Sequence, residues 1–231
     1  MENRLHTAYS GASGAVVERN RVLRNTYMLL GLSMLPTVAG ALIGVQSGFW
    51  KLFAGSPIMA PLLFLVGAFG MMWAIGKNRD SGLGVALLLG FTFFMGLMLS
   101  VSLAAALRFS NGGTLIAMAA GGTGIIFASL ATLATVTKKD FSFMGKFLFV
   151  GVILLLVASI ANLFFAIPAL ALTISAIGVL LFSAYILYDI SQIVNGGETN
   201  YVIATLQIYL DIYNVFVNLL SLLMAFSGER D

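Results

Sequence analysis

Seven apolar runs, each about twenty residues long, leave this chain few ways to fold. A helix needs about 20 residues to cross the hydrocarbon core of a bilayer, which is about 30 Å thick. Every backbone N–H and C=O group inside a bilayer has to be hydrogen bonded within the protein, so such a run forms a helix. The sequence therefore predicts an all-α, polytopic membrane protein with seven transmembrane helices, at residues 27–48, 58–76, 82–107, 114–136, 147–167, 169–194 and 201–226.

The composition agrees with a membrane protein. Hydrophobic residues make up 60% of the chain and charged residues 9%, whereas soluble domains have about 45–50% and about 25%. The longest polar stretch lies at the start of the chain. We therefore divide the chain into a cytoplasmic N-terminal tail, 1–24, and a seven-helix transmembrane domain, 25–231.

Several classes of function are excluded by missing residue types. The chain has no cysteine, which excludes thiol catalysis, Fe–S clusters and thiolate zinc sites. Its one histidine, His6, lies in the tail, so no histidine-based metal cluster or catalytic triad can form in the membrane. The net charge of +3 comes from residues between the apolar runs, where it sets topology instead of binding nucleic acid. We expect no enzyme activity and no bound cofactor.

The distribution of Lys and Arg predicts the orientation in the bilayer. With seven spans, the tail and the second, fourth and sixth loops share one side, and nine of the 12 basic residues lie there. The other side has three, Lys51, Arg108 and Arg230. Cytoplasmic loops carry the excess of basic residues. We therefore expect the inner membrane of a bacterium, with a cytoplasmic N-terminus and an external C-terminus.

Small residues recur at helical spacing in two of the runs. Gly40, Gly44 and Gly48 form two overlapping GxxxG steps in the first. Ala120, Gly124 and Ala128 form a similar ridge of small residues in the fourth run. Small residues allow helix backbones to approach closely. We expect both stripes to serve packing between helices of the same chain. A dimer interface is the alternative, and the oligomeric state is not predicted.

Asp189 and Asp211 are the charged residues that lie well inside apolar runs, in the sixth and seventh respectively. Inserting a carboxylate at the bilayer centre costs about 2.5–3.5 kcal/mol. Such residues normally face the interior of the bundle and belong to ion or proton pathways. A six-residue loop separates the sixth and seventh runs as we delimit them, so the helices should be antiparallel neighbours and their carboxyl groups should meet.

Polar residues extend from both aspartates along one helical face. The seventh run has Gln207, Asp211, Asn214, Asn218 and Ser221 at steps of three and four residues. The sixth run has a weaker stripe that includes Ser175, Gly178, Tyr185, Asp189 and Gln192. We interpret Gln207, Asn214, Asn218, Tyr185 and Gln192 as residues that line a path or support the pair.

Two carboxylates at one site cannot both ionise cheaply, so we expect Asp189 and Asp211 to share a proton and titrate as a unit. A shared proton bonds the two helices together, and its loss makes them repel. Ca²⁺ favours carboxylate oxygens, so both residues are also candidate Ca²⁺ ligands. A polar seam with a purely structural role is the alternative.

Several segments resemble the transmembrane Bax inhibitor motif family, in particular its bacterial branch. The two that hold the aspartates are Leu-Tyr-Asp-Ile-Ser-Gln-Ile at 187–193 and Tyr-Leu-Asp-Ile-Tyr-Asn-Val-Phe at 209–216. Four further segments, at 22–27, 139–143, 161–164 and 196–201, are similar to the subgroup that contains the modulator of the FtsH membrane protease. The resemblance extends from about residue 22 to the end of the chain.

This resemblance implies a fold of six helices around a central seventh. It also implies a pH-sensitive leak of calcium or other cations, controlled by the paired aspartates at positions 189 and 211. For the nearer subgroup it implies binding to FtsH. Channel-type relatives have an arginine in the second span near the pair. This chain has Lys77 and Arg79 at the end of that span instead, and we take these two as the candidate basic partners.

Three other functions compete with a cation leak. The chain could modulate FtsH without conducting ions, or it could be a proton-coupled transporter, although the repeat symmetry typical of transporters is missing. Intramembrane aspartyl proteases also use two aspartates on adjacent spans. Their second motif is Gly-x-Gly-Asp, because glycine admits the substrate backbone, and this chain has Tyr-Leu-Asp there. We therefore reject the protease.

Overall fold

The structure is a computed structural model that describes residues 2–49, 51 and 59–228. The described residues form seven long helices and one short 3₁₀ helix, with no β-strand among them. The helices are α1 (Glu2–Ser47), α2 (Met59–Lys77), α3 (Gly82–Ala106), α4 (Gly112–Thr137), α5 (Gly145–Phe165), α6 (Pro168–Asn195) and α7 (Tyr201–Gly228), and the 3₁₀ helix is Ser142–Met144.

Each predicted apolar run coincides with one of these helices to within a few residues at all but one end. Six described segments are long and apolar enough to cross a bilayer: Val17–Ser47, α3, α4, Ser142–Phe165, α6 and α7. In α2 the described apolar segment is the shorter Phe64–Lys77. Three predicted features include residues outside the described ranges, namely Met1 of the tail, Ile58 of the second run and the external Arg230. The chain is therefore an all-α, multi-pass membrane protein.

The exception is the start of the first run, because the N-terminal tail is not separate from the first span. Helix α1 begins at Glu2 and continues without interruption to Ser47, through Pro36. The predicted boundary between residues 24 and 25 therefore falls inside a helix. The polar composition of this segment hides its helical character from a hydropathy analysis.

Close packing between α1 and α3 explains the glycine pattern of the first span. A Cβ atom on Gly40 would collide with the backbone carbonyl of Phe93, and one on Gly44 would lie 2.5 Å from Ser100 Oγ. On the other helix, a Cβ atom on Gly96 would collide with the backbone carbonyl of Thr37. The prediction that Gly40 and Gly44 pack within the chain is confirmed.

A two-residue turn joins α5 to α6. Ala166 has a left-handed φ of 49° and Pro168 is the first residue of α6, where its missing N–H has no cost. Asn162 stabilises the turn, because its side-chain oxygen accepts a hydrogen bond of 2.9 Å from the backbone N–H of Ile167. Helix α5 is thereby held antiparallel to α6, against which it packs at the edge of the bundle.

Helix α7 packs against α1, α2, α3, α4 and α6. Its main anchor is Tyr209, which is 1% exposed. The Tyr209 hydroxyl lies 2.9 Å from the Thr37 hydroxyl of α1, and its ring meets Phe91 of α3 edge-on. This arrangement places the turn of α7 that carries Asp211 inside the bundle.

Hydrogen bonds between loops define the two ends of the bundle. At one end, the α6–α7 loop bonds the α2–α3 loop through Asn200 and Asp80, at 2.7 Å. The Arg19 side chain of α1 lies against Gly196 at this same end. At the opposite end, Asn111 bonds Ser227 near the end of α7. The tail and the even-numbered loops therefore share one side, as the predicted topology requires.

Candidate functional site

Asp189 and Asp211 lie side by side where α6 crosses α7. Their side chains are 7% and 5% exposed, and the two carboxyl groups are within hydrogen-bonding range of each other. The Oδ2 atom of Asp211 is fully buried, and no group in the described part of the chain donates a hydrogen bond to it. A buried carboxyl oxygen without a donor is costly to bury.

Tyr185 and Glu198 are two described residues that interact electrostatically with the pair. Tyr185 of α6 lies close enough to both carboxyl groups to interact electrostatically with them. Its ring stacks on Phe182 at 6.2 Å between centroids. Glu198, in the α6–α7 loop, adds a further negative charge near Asp189. The site is therefore a negative region at the loop-rich end of the α6–α7 contact.

A polar seam continues from the pair along α7. The Asn214 amide donates a hydrogen bond of 2.8 Å to the Leu210 carbonyl, and the Asn218 amide does the same to the Asn214 carbonyl. The Asn218 side chain fills the space next to Gly178 of α6, where a Cβ atom would lie 2.7 Å from it. The structure thus brings Asn218 into the α6–α7 contact, whereas the Asn214 amide bonds within α7.

The two predicted glutamines lie elsewhere. Gln207 is exposed, although it is one turn from Asp211. Gln192 points toward the α4–α5 loop, where its amide donates a hydrogen bond of 2.9 Å to Ser142 Oγ. The same serine donates to Asp140 through its side chain and its backbone, and these hydrogen bonds hold the pKa of the exposed Asp140 carboxyl below its usual value.

The structure does not bring the candidate basic partners to the pair. Lys77 lies over the ring of Trp73, 5.1 Å from its centroid and one turn back on the same helix. The Arg79 side chain is 54% exposed and lies 3.7 Å from the Asp80 carboxylate. Both cations therefore have nearer partners at the surface, and the prediction that they approach Asp189 and Asp211 is not supported by their positions.

Hydrogen bonds attach the α4–α5 loop to α6 next to Asp189. The sequence did not predict this contact. Ser191 Oγ accepts a hydrogen bond of 3.0 Å from the Phe141 N–H and donates one of 3.1 Å to the Lys139 carbonyl. The Asn195 amide donates to the same Lys139 carbonyl at 3.2 Å. The turn of α6 that follows the aspartate is therefore held by a second loop.

Asn200 fixes the start of α7 and joins two loops. Its side-chain oxygen accepts hydrogen bonds from the N–H groups of Val202 and Ile203, at 3.0 and 3.1 Å, as a typical N-cap residue does. Its amide donates to Asp80. An asparagine directly before an apolar helix is the sequence signal that would have identified it.

We expect Asn200→Ala to lower the free energy of unfolding by about 1–2 kcal/mol, the usual loss for a helix cap. Asn200→Ser is the matched control, since it keeps a capping oxygen and loses the amide that reaches Asp80. Chemical unfolding of the detergent-solubilised protein measures both. Equal losses in the two variants would assign the effect to the contact between loops instead of the cap.

The pair alone does not form a resident metal site. The described residues contain no group of three or more histidine, cysteine, aspartate or glutamate side chains placed to hold a metal ion. Ca²⁺ takes six to eight oxygen ligands, so two carboxyl groups supply a minority of them. The arrangement fits a proton or a passing cation better than a tightly held one.

Known proteins resemble this chain over nearly its whole length. The family model described as "Inhibitor of apoptosis-promoting Bax1" matches residues 19–228. An uncharacterized protein of Neisseria meningitidis is 41% identical over 92% of this chain and 94% of its own length.

Two further relatives are also bacterial. The Escherichia coli protein named modulator of FtsH protease YccA is 38% identical over 90% of this chain and 92% of its own length. An uncharacterized membrane protein of Vibrio cholerae is 38% identical over 90% of both chains. The family match confirms the resemblance carried by the segments around Asp189 and Asp211: the chain belongs to the Bax inhibitor family.

Proposed function

We propose that this protein is an inner-membrane modulator of an FtsH-type membrane protease. The observation that carries the proposal is the similarity to YccA, which is named for this activity and matches over 90% of this chain at 38% identity. The match includes nearly all of both proteins, so it covers loops as well as spans. We further propose that the protein has no catalytic activity of its own and acts by binding.

We propose that all seven helices cross the bilayer, with α7 at the centre and the N-terminus in the cytoplasm. The relative in a second Escherichia coli strain is named an inner membrane protein. Nine of the 12 Lys and Arg residues belong to the tail and the even-numbered loops, which hydrogen bonds and side-chain packing gather at one end of the bundle. This basic end is the one that the positive-inside rule assigns to the cytoplasm.

The cytoplasmic end offers two kinds of contact surface to a protease. Hydrogen bonds join the α2–α3 loop to the α6–α7 loop and the α4–α5 loop to the last residue of α6, so the three loops offer one surface. The first turns of α1 extend the helix of the first span toward the N-terminus. A protease that engages proteins by a terminal segment would bind the helical extension of α1. A protease that is inhibited by a protein bound to its surface would contact the loops instead.

Expression of this protein in Escherichia coli that lacks YccA should lengthen the half-life of a membrane substrate of FtsH several-fold. We expect deletion of residues 2–18 to abolish this effect while membrane insertion is retained. Asp189→Asn and Asp211→Asn should leave it intact, because the proposed contacts are in loops and tail. Pulse–chase labelling measures the half-lives. An unchanged substrate half-life with correctly inserted full-length protein would contradict the proposal.

A second function, a pH-sensitive leak of Ca²⁺ or other cations, is favoured by one specific observation. Asp189 and Asp211 are buried within hydrogen-bonding range of each other, and one oxygen of Asp211 has no donor among the described residues. A structural seam has no need for a group that is so costly to bury. We propose that the pair gates a path along the α6–α7 seam, and that Asn214 and Asn218 border it.

A further inference from the structure

A long groove runs along the membrane face of the bundle, separate from the aspartate pair. Its volume is about 820 Å³, and it lies between α1 and α4 with α7 as its floor. The wall residues Gly31, Gly124 and Ala128 are exposed, so the groove opens toward the surrounding lipid. The predicted small-residue ridge of α4 therefore does not pack against another helix of this chain but forms one wall of this groove.

The groove has the length and chemistry of a lipid chain. Its lining extends from Tyr27 to Leu42 on α1 and from Ile116 to Thr135 on α4. At 1.5 Å per residue these segments are about 22 and 28 Å long, which approaches the thickness of the hydrocarbon core. The lining is apolar apart from threonine and tyrosine hydroxyl groups.

One hydroxyl group at the cytoplasmic end of the groove lacks a partner. The Tyr27 Oη atom is fully buried, and no described residue forms a hydrogen bond with it. The Tyr27 ring is held edge-on to Phe127 of α4, 6.2 Å between centroids, so the hydroxyl cannot turn freely toward water. An unpaired hydroxyl in an apolar setting is unfavourable, and an acceptor brought by a ligand would satisfy it.

Basic residues lie at the same end of the groove, next to both of its walls. Arg24 is exposed and precedes Tyr27 by three residues, which places it on the same face of α1. On α4, the exposed Lys138 and Lys139 directly follow the last turn that lines the groove. Along the protein, the apolar groove is followed by the unpaired hydroxyl donor and then by the basic residues. The groups of a phospholipid that would match them, the acyl chain, the ester carbonyl and the phosphate, follow one another in the same order.

We propose that this groove binds an anionic phospholipid of the cytoplasmic leaflet. An acyl chain lies along α7 between the two walls, an ester carbonyl accepts a hydrogen bond from Tyr27, and the phosphate lies near Arg24, Lys138 and Lys139. The small residues of the walls would also admit a transmembrane helix of another protein. The basic mouth and the unpaired hydroxyl favour the lipid, because an apolar helix has no phosphate or free carbonyl at that depth.

The test is native mass spectrometry of the full-length protein, delipidated in detergent and titrated with phosphatidylglycerol or phosphatidylcholine. We expect tighter binding of phosphatidylglycerol. Gly124→Leu should abolish binding because the side chain fills the groove, whereas Gly121→Leu, one turn away, should not. A Cβ atom at either position meets nothing within 4 Å, so both variants should fold. Arg24→Gln and Lys139→Gln should each weaken phosphatidylglycerol binding about fivefold.

Lys146→Gln is the charge control, since Lys146 is exposed at the same end but does not continue a groove wall. Equal lipid binding by Gly124→Leu and Gly121→Leu would overturn the proposal. So would equal affinity for the two phospholipids. A photo-crosslinker at position 124 provides the remaining test in native membranes: adducts with phospholipid support the proposal, and adducts only with a polypeptide contradict it.

Discussion

Gly96→Ala is expected to destabilise this protein by at least about 3 kcal/mol, more than the usual cost of an added core methyl group. The new Cβ atom would collide with the backbone carbonyl of Thr37, and it would also lie 3.0 Å from the backbone nitrogen of Ala41. Backbone atoms cannot rotate away as a side chain can. Relief therefore requires α1 and α3 to separate along their whole contact, which is the most extensive between helices of the bundle.

Gly90→Ala is the matched control on the same helix. A Cβ atom there has one neighbour, the flexible end of Met71 at 3.8 Å. Because alanine favours helices by about 1 kcal/mol over glycine, this variant should be neutral or slightly stabilised. Unfolding of both variants in mixed detergent micelles, followed by circular dichroism, measures the difference. A loss below about 1 kcal/mol for Gly96→Ala would show that the helices move apart easily.

The α1–α3 contact shows how far the sequence alone could predict the fold. The spacing of Gly40 and Gly44 marks an interface on α1, but nothing in that pattern identifies the partner helix. Gly96 is one of 25 glycines and belongs to no GxxxG step. The boundaries of the spans are predictable because the bilayer imposes a length on each of them. The pairing of the spans depends on tertiary packing that a single sequence does not record.

The helical tail and the α4 ridge mark two further limits. Residues 2–24 have the polar composition of a soluble segment, so hydropathy separates them from the span although the helix is continuous. The ridge at Ala120, Gly124 and Ala128 predicts packing, yet these residues line an open groove. Small residues indicate that a close approach is possible, and they do not show what approaches.

The aspartate pair was predictable because burial of a carboxyl group in a membrane is costly and therefore conspicuous. Helical spacing predicts Asp189, Asp211, Asn214 and Asn218 in one contact, and the structure has Asp211 beside Asp189 and Asn218 beside Gly178 of α6. The exposed position of Gln207 was not predictable, because helical periodicity gives a face but not the neighbours that cover it. The loop hydrogen bonds of residues such as Ser191 depend on contacts distant in sequence.

Liposomes that contain this protein are expected to take up Ca²⁺ faster at pH 8 than at pH 6. In the proposed gating mechanism, a proton shared at pH 6 bonds Asp189 to Asp211 and holds α6 against α7. When both carboxyls ionise, two negative charges about 3 Å apart repel by about 5 kcal/mol at an effective dielectric constant of about 20. Repulsion of that size is large enough to separate the helices along the seam, and it attracts a divalent cation to the pair.

The magnitude of the pH effect has an upper limit. A single titrating proton changes the population of the ionised pair by at most about a hundredfold over two pH units. We therefore expect a ratio of initial uptake rates between about tenfold and this limit. A larger ratio would require additional titrating groups, and Glu198, the nearest further carboxylate, would be the first to test by Glu198→Gln.

Asp211→Asn distinguishes gating by protonation of the aspartate pair from a purely structural role of the pair. The carboxamide has nearly the same shape and donates a hydrogen bond to Asp189 at every pH, so the variant should stay closed and show low uptake at both pH values. Asp140→Asn is the control, because it removes an exposed carboxylate at the same end of the bundle and should leave the pH dependence unchanged. Uptake that depends on pH equally in both variants would place the sensor elsewhere. Uptake no faster than in empty liposomes at either pH would exclude the leak and leave protease modulation as the function.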